Sequence, residues 1–173
     1  MPLYKPVNIA NLQEIQDAVL AVLPKDRLAK QDLFYLPKKL FLNLPKLVSL
    51  LEQLDLLEYV DEIATVVVPP HTNSPIHIDS GNNVYSFNIP IKNCKNTFLA
   101  YYSSDKEPEK IYLHSGDTGL YYYHFKSEST MLVDKIEMCR PYIVNVQEPH
   151  GIINPTDNTR ILIAIRLTTG FEI

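Results

Sequence analysis

The sequence predicts a mainly β protein, a sandwich, jelly roll or barrel that is preceded by helices. From residue 63 onward, short runs of β-branched and aromatic residues alternate with turn-forming residues, and no helical pattern separates them. The earlier residues instead space their apolar side chains as a helix does. We therefore expect one domain over residues 1–173, with a helical N-terminal extension over residues 1–60 and a β core over residues 61–173.

Composition and charge exclude several classes of protein. Hydrophobic residues make up 46% and charged residues 21% of the chain, which is ordinary for a folded globular protein. The net charge of −4, with acids and bases mixed, lacks the basic face that a duplex-DNA-binding protein carries. No apolar run has the length of a membrane span, and the N-terminus lacks a signal-peptide pattern. The two cysteines fit a reducing compartment, so we expect a cytoplasmic protein.

Two helices are predicted in the N-terminal extension. Asn11 and Glu14 have the spacing of a capping box, and apolar residues at helical spacing follow over residues 12–23. A second apolar stripe, which begins with a proline, predicts a helix over residues 45–57. Residues 25–43 are expected to be irregular because a proline interrupts their apolar runs. Neither helix carries reactive side chains, so both are expected to pack on the sheet.

Short strands separated by turn signals are expected throughout the β core. Their approximate bounds are 63–68, 75–79, 84–91, 97–103, 110–114, 118–125, 130–138, 142–149 and 160–168.

The strand over residues 75–79 places a histidine beside a carboxylate. Side chains two residues apart on a strand point the same way, so His77 and Asp79 share one face while the isoleucines between them face the other. Turn-forming residues follow Asp79 directly, which puts the pair at the end of the strand. These two side chains could supply two of the three protein ligands of a metal site.

His150 is the predicted third ligand, and Arg160 follows it ten residues later. An alternating segment precedes His150, a turn-rich segment follows it, and a second alternating strand begins at Arg160. This pattern predicts a hairpin that brings His150 and Arg160 close together. Two histidines and one carboxylate are the ligands of non-haem Fe(II) oxygenases, and a guanidinium grips a carboxylate by two parallel hydrogen bonds. The four residues predict a metal centre with an acidic cosubstrate.

Simpler interpretations of these residues are ordinary structural roles. Asp79 could cap the turn that follows it, and His77 could be a half-buried strand histidine. Arg160 could pair with Asp157 or Glu148 at a hairpin end, as surface charges commonly do. The remaining histidines are expected to face solvent or the sheet surface.

The pattern His77-x-Asp79, then His150, then Arg160 resembles the Fe(II)/2-oxoglutarate-dependent oxygenases. Two segments, Tyr-Ser-Phe-Asn-Ile-Pro-Ile at residues 85–91 and the stretch around His150, are similar to bacteriophage and bacterial members of that family. The resemblance covers about residues 60–168 and implies a double-stranded β-helix, which is a jelly roll.

The resemblance also implies an activity and a set of ligands. His77, Asp79 and His150 would bind Fe(II), and Arg160 would bind the distal carboxylate of 2-oxoglutarate. The reaction would use O₂, release succinate and CO₂, and hydroxylate a further substrate. A protein side chain, a nucleobase and a small metabolite are alternatives for that substrate, and no oligomeric state is implied.

The chain departs from the family pattern at one position. Many members have serine or threonine two residues after the arginine, where this chain has Leu162. A tyrosine from another strand could supply the missing hydroxyl, and Tyr85, Tyr101 and Tyr102 are candidates. Asn88 could contact the cosubstrate or the substrate, or it could be an outward polar residue of an alternating strand.

Two other functions fit the same pattern. A cupin-type metalloprotein would use the His-Asp-His ligands without 2-oxoglutarate, and its arginine would bind another acid or an ion-pair partner. A non-catalytic binding or structural protein, of viral origin for example, would keep the fold with an idle site. Jelly rolls host many functions, so the choice depends on the site.

Overall fold

The computed structural model describes residues 2–29, 33–35, 37–79, 81–112 and 121–173. Its described helices all lie before residue 54, with short 3₁₀ turns at Leu57–Tyr59 and Ser127–Ser129. The helices are α1 (Leu12–Val22), α2 (Lys25–Ala29), α3 (Lys38–Leu42) and α4 (Pro45–Gln53).

The strands of the described chain lie mostly after residue 60. They are β1 (Tyr4–Pro6), β2 (Leu33–Tyr35), β3 (Val60–Val68), β4 (Thr72–Asn73), β5 (Ile76–Asp79), β6 (Tyr85–Lys92), β7 (Phe98–Ser104), β8 (Glu109–Tyr112), β9 (Tyr121–Phe125), β10 (Thr130–Glu137), β11 (Tyr142–Asn145), β12 (His150–Asn154) and β13 (Arg160–Leu167).

The strands form two antiparallel sheets. The first sheet has the order β1-β11-β6-β13-β3-β2, and the second has the order β10-β7-β12-β5-β9-β8, with β4 pairing with β12. The chain passes from one sheet to the other between β11 and β12 and again between β12 and β13. This topology is the predicted jelly roll, a double-stranded β-helix with helices added at its N-terminus.

The first sheet is covered on its outer side by the helices. Strands β13 and β6 alternate, and one set of their side chains packs with α1, α3 and α4 in a large apolar cluster. From these two strands, that set is Tyr85, Phe87, Ile89, Ile91, Ile161, Ile163, Ile165 and Leu167. The other set faces the second sheet. On β13 it contains Leu162 and Ala164, which pack with Cys94 of the β6–β7 turn.

A second apolar cluster fills the space between the sheets near β7, β10 and β11. It includes the buried rings of Tyr101 and Tyr142 and the side chain of Met138. The described helices reach at most eleven residues, and none is long and apolar enough to cross a membrane.

Helix α1 lies where the sequence predicts it, but its predicted capping box does not form. The Asn11 side chain makes no capping hydrogen bond. The Glu14 carboxylate instead accepts a hydrogen bond of 2.7 Å from Lys46 Nζ on α4. An ion pair between two helices has replaced the local contact.

Helix α4 ends four residues earlier than the sequence predicts. Asp55 has a φ of 54°, in the left-handed region, which interrupts the helix. The Leu56 amide then donates to the Leu51 carbonyl at 2.8 Å and the Asp55 amide to the Glu52 carbonyl at 3.0 Å. These two bonds form a Schellman cap. The side chains of Leu51 and Leu56 both pack in the large apolar cluster between the helices and the first sheet, which we call the helix-side core.

Replacing Asp55 with valine is expected to lower the free energy of unfolding by about 1–2 kcal/mol, because a β-branched residue tolerates a left-handed φ poorly. Urea denaturation of the two proteins measures the change. Asp55→Asn is the matched control, since asparagine adopts this conformation readily. An equal loss in both variants would contradict a conformational cause.

The N-terminal third contains more structure than the helical prediction allows. Strands β1 and β2 pair with β11 and β3 at the two edges of the first sheet. The segment over residues 25–43, expected to be irregular, contains α2, β2 and α3. The predicted strand ends near residues 113–114 and 118–120 lie outside the described residues.

The predicted hairpin between residues 142–149 and 160–168 is wrong. Strand β11 ends at Asn145 and pairs with β6 and β1, whereas His150 begins a separate strand, β12, in the second sheet. Arg160 pairs across the first sheet with Val68 of β3. The alternating pattern indicates a strand but does not indicate the sheet to which the strand belongs.

Candidate metal centre

The structure brings His77, Asp79 and His150 together between the two sheets. His77 and Asp79 lie on β5, and His150 is the cross-strand partner of His77. Asp79 Oδ1 lies 3.3 Å from His77 Nε2 and 3.9 Å from His150 Nε2. One potential ligand atom from each residue lies within 4.8 Å of the others. Three donor atoms therefore converge on one point at the end of β5.

Both imidazole rings are held with Nε2 toward this point. His77 Nδ1 lies 2.8 Å from the Pro75 carbonyl oxygen, and His150 Nδ1 lies 2.9 Å from the Glu148 carbonyl oxygen. A carbonyl oxygen only accepts, so each Nδ1 carries the proton and donates it. Each Nε2 then presents a lone pair, which is the arrangement that metal-binding histidines adopt.

Hydrogen bonds fix the end of β5 beside the segment that leads to His150. The Asp79 amide donates to the Val146 carbonyl at 3.1 Å. The Gln147 side chain donates through Nε2 to the Asp79 carbonyl at 3.2 Å and to the Asn83 carbonyl at 3.1 Å. One backbone bond and the Gln147 side chain thus hold the β5 ligands beside the segment that leads to β12.

The charges of the ligands favour a cation. Burial alone would raise the pKa of Asp79, but Arg166 and the two histidines outweigh it and hold the pKa well below its usual range. Burial, aided by His77, lowers the pKa of His150 to about 4. At neutral pH the centre therefore presents an ionised carboxylate and a neutral His150 ring, as a divalent metal requires.

The metal-free protein is expected to become less stable as the pH falls from about 6.5 to about 4. In this window the unfolded chain protonates His150, whereas the folded chain keeps the ring neutral down to about 4. The unfolded state then binds more protons, and the free energy of unfolding falls by on the order of 3 kcal/mol. Asp79, whose pKa is lowered, loses its contribution only below its ordinary value of 3.8.

Urea denaturation of chelator-treated protein at several pH values between 4 and 7 tests this dependence. His150→Gln removes the titrating ring, so the free energy of unfolding should change much less between about pH 4 and about 6.5. The other histidines remain in both proteins and therefore do not contribute to the difference. An unchanged slope in that variant would contradict the assignment to His150.

Arg166 is a site residue that the sequence analysis did not identify. Its Nη2 forms an ion pair with Asp79 Oδ2, and both side chains are 15% exposed. Arg166 follows Leu162 and Ala164 on the face of β13 that points between the sheets. The alternation of β13, counted in steps of two from Arg160, would have identified it.

Arg160 is buried and has no anionic partner in the described part of the chain. The residue is 1% exposed, and its Nε and Nη1 have no hydrogen-bond partner among the described residues. Burial lowers its pKa, against the opposing effect of the Cys94 thiol beside it. The alternative interpretation, in which Arg160 pairs with Asp157 or Glu148, is not supported, because the Asp157 carboxylate lies 2.9 Å from His71 Nε2 and Glu148 is exposed. A buried unpaired guanidinium is costly and fits an anion that binds there.

Arg160 lies deeper in the jelly roll than the metal ligands. Its cross-strand partner Val68 accepts a hydrogen bond of 3.2 Å from Asn154 Nδ2 at the far end of β12. Asn154 lies four residues from His150, a separation of roughly 13 Å along a strand. The backbones of Arg160 and of the metal ligands are thus separated along the sheets. An elongated ligand could bridge the metal centre and Arg160.

The predicted auxiliary residues lie in different places. Tyr85 faces the helix-side core, where its ring centroid lies 5.9 Å from that of Phe171, so it is on the wrong face of β6 to contact a cosubstrate between the sheets. The Tyr101 hydroxyl donates to the Leu3 carbonyl at 2.7 Å, although its ring lies next to His150. The polar group placed beside Arg160 is instead the Cys94 thiol.

Asn88 lies on the face of β6 that points between the sheets, whereas Tyr102 lies on the face of β7 opposite to that of Tyr101. Tyr102 lines a cavity of about 320 Å³ together with Glu148 and Pro149. Asn88 is buried, and its side-chain carbonyl accepts a hydrogen bond of 2.8 Å from Ser86. Asn88 is the cross-strand partner of Ala164, so it belongs to the inward face of β6.

Strand β9 adds two residues that the sequence analysis did not place at the site. Tyr122 is the cross-strand partner of Asp79, and its ring meets that of His77 edge-on at 5.6 Å. His124 is the partner of His77 and is half-buried, rather than on the sheet surface as expected. The exposed His71 fits its prediction, and His114 lies outside the described residues.

Comparisons with known proteins support the fold. No family model and no curated protein matches the chain. The apo structure of ThoJ, a non-heme monooxygenase, is 15% identical with a TM-score of 0.51, and the match covers 96% of this chain and 74% of that one. The nickel complex of ThoJ is 17% identical over the same shares, with a TM-score of 0.49.

A prolyl-4-hydroxylase from Pseudomonas putida is also similar. It is 10% identical with a TM-score of 0.46, and the match covers 99% of this chain and 89% of that one. At these identities the likeness concerns the fold alone. This chain has the fold of the apo ThoJ structure, with its own His-Asp-His cluster between the sheets.

Proposed function

We propose that this protein is an Fe(II)- and 2-oxoglutarate-dependent dioxygenase that hydroxylates a further substrate and releases succinate and CO₂. One observation carries the proposal. A cluster of two histidines and one carboxylate occupies the space between the sheets, and the buried Arg160 at the start of β13 has no anionic partner among the described residues. The first feature suits a metal with open positions, and the second suits a carboxylate.

The metal would be held by His77 Nε2, His150 Nε2 and Asp79 Oδ1. Both Nδ1 protons are already engaged by backbone carbonyls, so the rings need no tautomeric change to bind it. Bound there, Fe(II) would supply the activation of O₂. Three protein ligands leave positions open for a cosubstrate and O₂, as a site of this kind requires.

Arg160 would bind the distal carboxylate of 2-oxoglutarate. Its unpartnered Nε and Nη1 can donate two hydrogen bonds to one carboxylate. Leu162 and Ala164, buried on the same face of β13, would keep water away from this pair and so strengthen it. The separation between Arg160 and the metal ligands suits a five-carbon dicarboxylate better than a compact anion.

The two alternative functions receive less support. A cupin-type protein whose arginine serves an ion pair would show an acidic partner for Arg160, and none of the described residues provides one. A structural protein with an idle site would have no reason to keep an unpaired buried guanidinium, which lowers stability. The observation that favours the cupin-type alternative is Leu162, which offers no hydroxyl to a cosubstrate.

Release of CO₂ from 2-oxoglutarate labelled at its first carbon tests the proposed activity. The Fe(II)-loaded protein is expected to release label in the presence of O₂, and Asp79→Ala is expected to release none. Amino acids, peptides, nucleosides and small acids would be screened for substrates that increase the rate. Fe(II)-loaded protein that binds no 2-oxoglutarate and releases no label under any condition would contradict the proposal.

A further inference from the structure

We propose that Arg166 is a positioning residue that restricts Asp79 to a single ligand oxygen and so keeps a coordination position open for O₂ beside the cosubstrate. The inference deepens the proposed function and rests on it for the identity of that cosubstrate. It concerns how the carboxylate is presented to the metal.

The two oxygens of Asp79 have separate contacts. Oδ1 lies 3.3 Å from His77 Nε2 and 3.9 Å from His150 Nε2, on the side where the donor atoms converge. Oδ2 is buried and meets Arg166, with no other donor among the described residues. The carboxylate therefore divides its two oxygens between the metal side and the guanidinium.

The position of Arg166 is set by its pairing with β6 and by its two neighbours. Arg166 lies opposite Ser86 of β6, at the point where the register between β13 and β3 shifts. Its neighbours Ile165 and Leu167 are fully buried in the helix-side core. A guanidinium fixed in this way can hold Oδ2 against the pull of a bound cation.

The denticity of Asp79 decides how many positions remain open. A carboxylate can bind a metal through one oxygen or through two. With two imidazoles and a bidentate Asp79, four positions of an octahedron would be filled, and a chelating cosubstrate and O₂ could no longer bind together. Because Arg166 is itself a cation, its charge does not favour metal binding. Its expected contribution is to the geometry that admits O₂ beside the cosubstrate.

Arg166→Gln separates these effects. Co(II) binding by the variant is expected to stay within about threefold of wild type or to become tighter, since the cationic neighbour is gone. The affinity of the Co(II)-loaded protein for 2-oxoglutarate is expected to stay within about threefold of wild type, since two positions remain for the chelate. The rate at which the Fe(II)-loaded variant forms succinate from 2-oxoglutarate and O₂ is expected to fall by about 10- to 100-fold, the usual effect of losing an orienting partner on activity. The visible Co(II) spectrum, taken without 2-oxoglutarate, should change because the variant's Asp79 adds a second oxygen.

Two further variants control the experiment. Arg166→Lys keeps one positive charge near Oδ2 and is expected to recover part of the lost rate of succinate formation, which also guards against a variant that fails to fold. Arg140→Gln removes a guanidinium that contacts Tyr142 rather than Asp79, and it should match wild type in both titrations and in the rate of succinate formation.

The outcomes distinguish this inference from the proposed function. A Co(II) spectrum and a rate of succinate formation that are both unchanged in Arg166→Gln would overturn the positioning role. Co(II) binding weakened more than about 10-fold, with the rate unchanged once the metal is saturating, would also overturn it. If wild-type Co(II)-loaded protein binds no 2-oxoglutarate, the proposed function fails, and the Co(II) spectrum alone still tests the role of Arg166.

Discussion

Arg160→Met is expected to weaken 2-oxoglutarate binding by roughly two to three orders of magnitude and to leave metal affinity unchanged. Removing one partner of a buried charge pair costs about 3–5 kcal/mol, and each 1.4 kcal/mol is about tenfold in affinity. The metal ligands are unaffected because Arg160 contacts none of them in the described structure. Titration of the metal-loaded variant with 2-oxoglutarate measures the loss.

A shorter keto acid shows whether the loss arises at the distal carboxylate. 2-Oxobutyrate carries the same metal-chelating end but lacks the second carboxylate. It should bind wild type and Arg160→Met about equally, so the preference for 2-oxoglutarate should largely disappear in the variant. An equal loss for both acids would indicate that the substitution disturbs the metal centre instead.

The same variant should be more stable than wild type when no ligand is present. In the described structure the Arg160 guanidinium is buried with two unpartnered nitrogens, which is an unfavourable state. Methionine fills a similar volume without a charge, and such replacements stabilise proteins by about 1–4 kcal/mol. Loss of binding together with a gain in stability would show that Arg160 serves a ligand rather than the fold.

Asp79→Ala is expected to weaken Fe(II) binding by more than about 100-fold, because a direct ligand of the metal is lost. The substitution removes the anionic ligand and leaves Arg166, a cation, beside the two histidines. The metal position would then have two neutral donors and a repelling charge. Anaerobic titration with Fe(II), or with Co(II) as a stable substitute, measures the affinity.

Asp157→Ala provides the matched control for Asp79→Ala. Asp157 also contacts a histidine, His71, at 2.9 Å, but both side chains are exposed and lie outside the cluster. This variant should bind metal as wild type does. Similar losses in the two variants would mean that the measured metal binds elsewhere on the protein.

Much of the metal centre could be predicted because it depends on local rules. His77 and Asp79 share a face by the twofold repeat of a strand, and the turn after Asp79 places them at its end. His150 was identified from the pattern around it, although the expected hairpin does not form. Its position depends on chain crossings between the sheets, which alternation within a segment does not reveal.

Other features depend on contacts between distant segments. Tyr85 and Tyr101 are both strand tyrosines, and only the packing of the sheets shows that one faces the helices and the other bonds to Leu3. The Glu14–Lys46 ion pair joins two helices that no local motif relates. Arg166, in contrast, is predictable from the sequence, because the alternation of side chains along β13 places it on the same inward face as Arg160.

The most direct test of this account is an anaerobic titration of the protein with Fe(II) and then with 2-oxoglutarate, followed by visible absorption. A keto acid that chelates Fe(II) gives a metal-to-ligand charge-transfer band. We expect the band to appear with the wild-type protein and to be absent with Asp79→Ala. With Arg160→Met it should require far more 2-oxoglutarate. Fe(II) that binds tightly to wild type without producing a band at saturating 2-oxoglutarate would contradict this account.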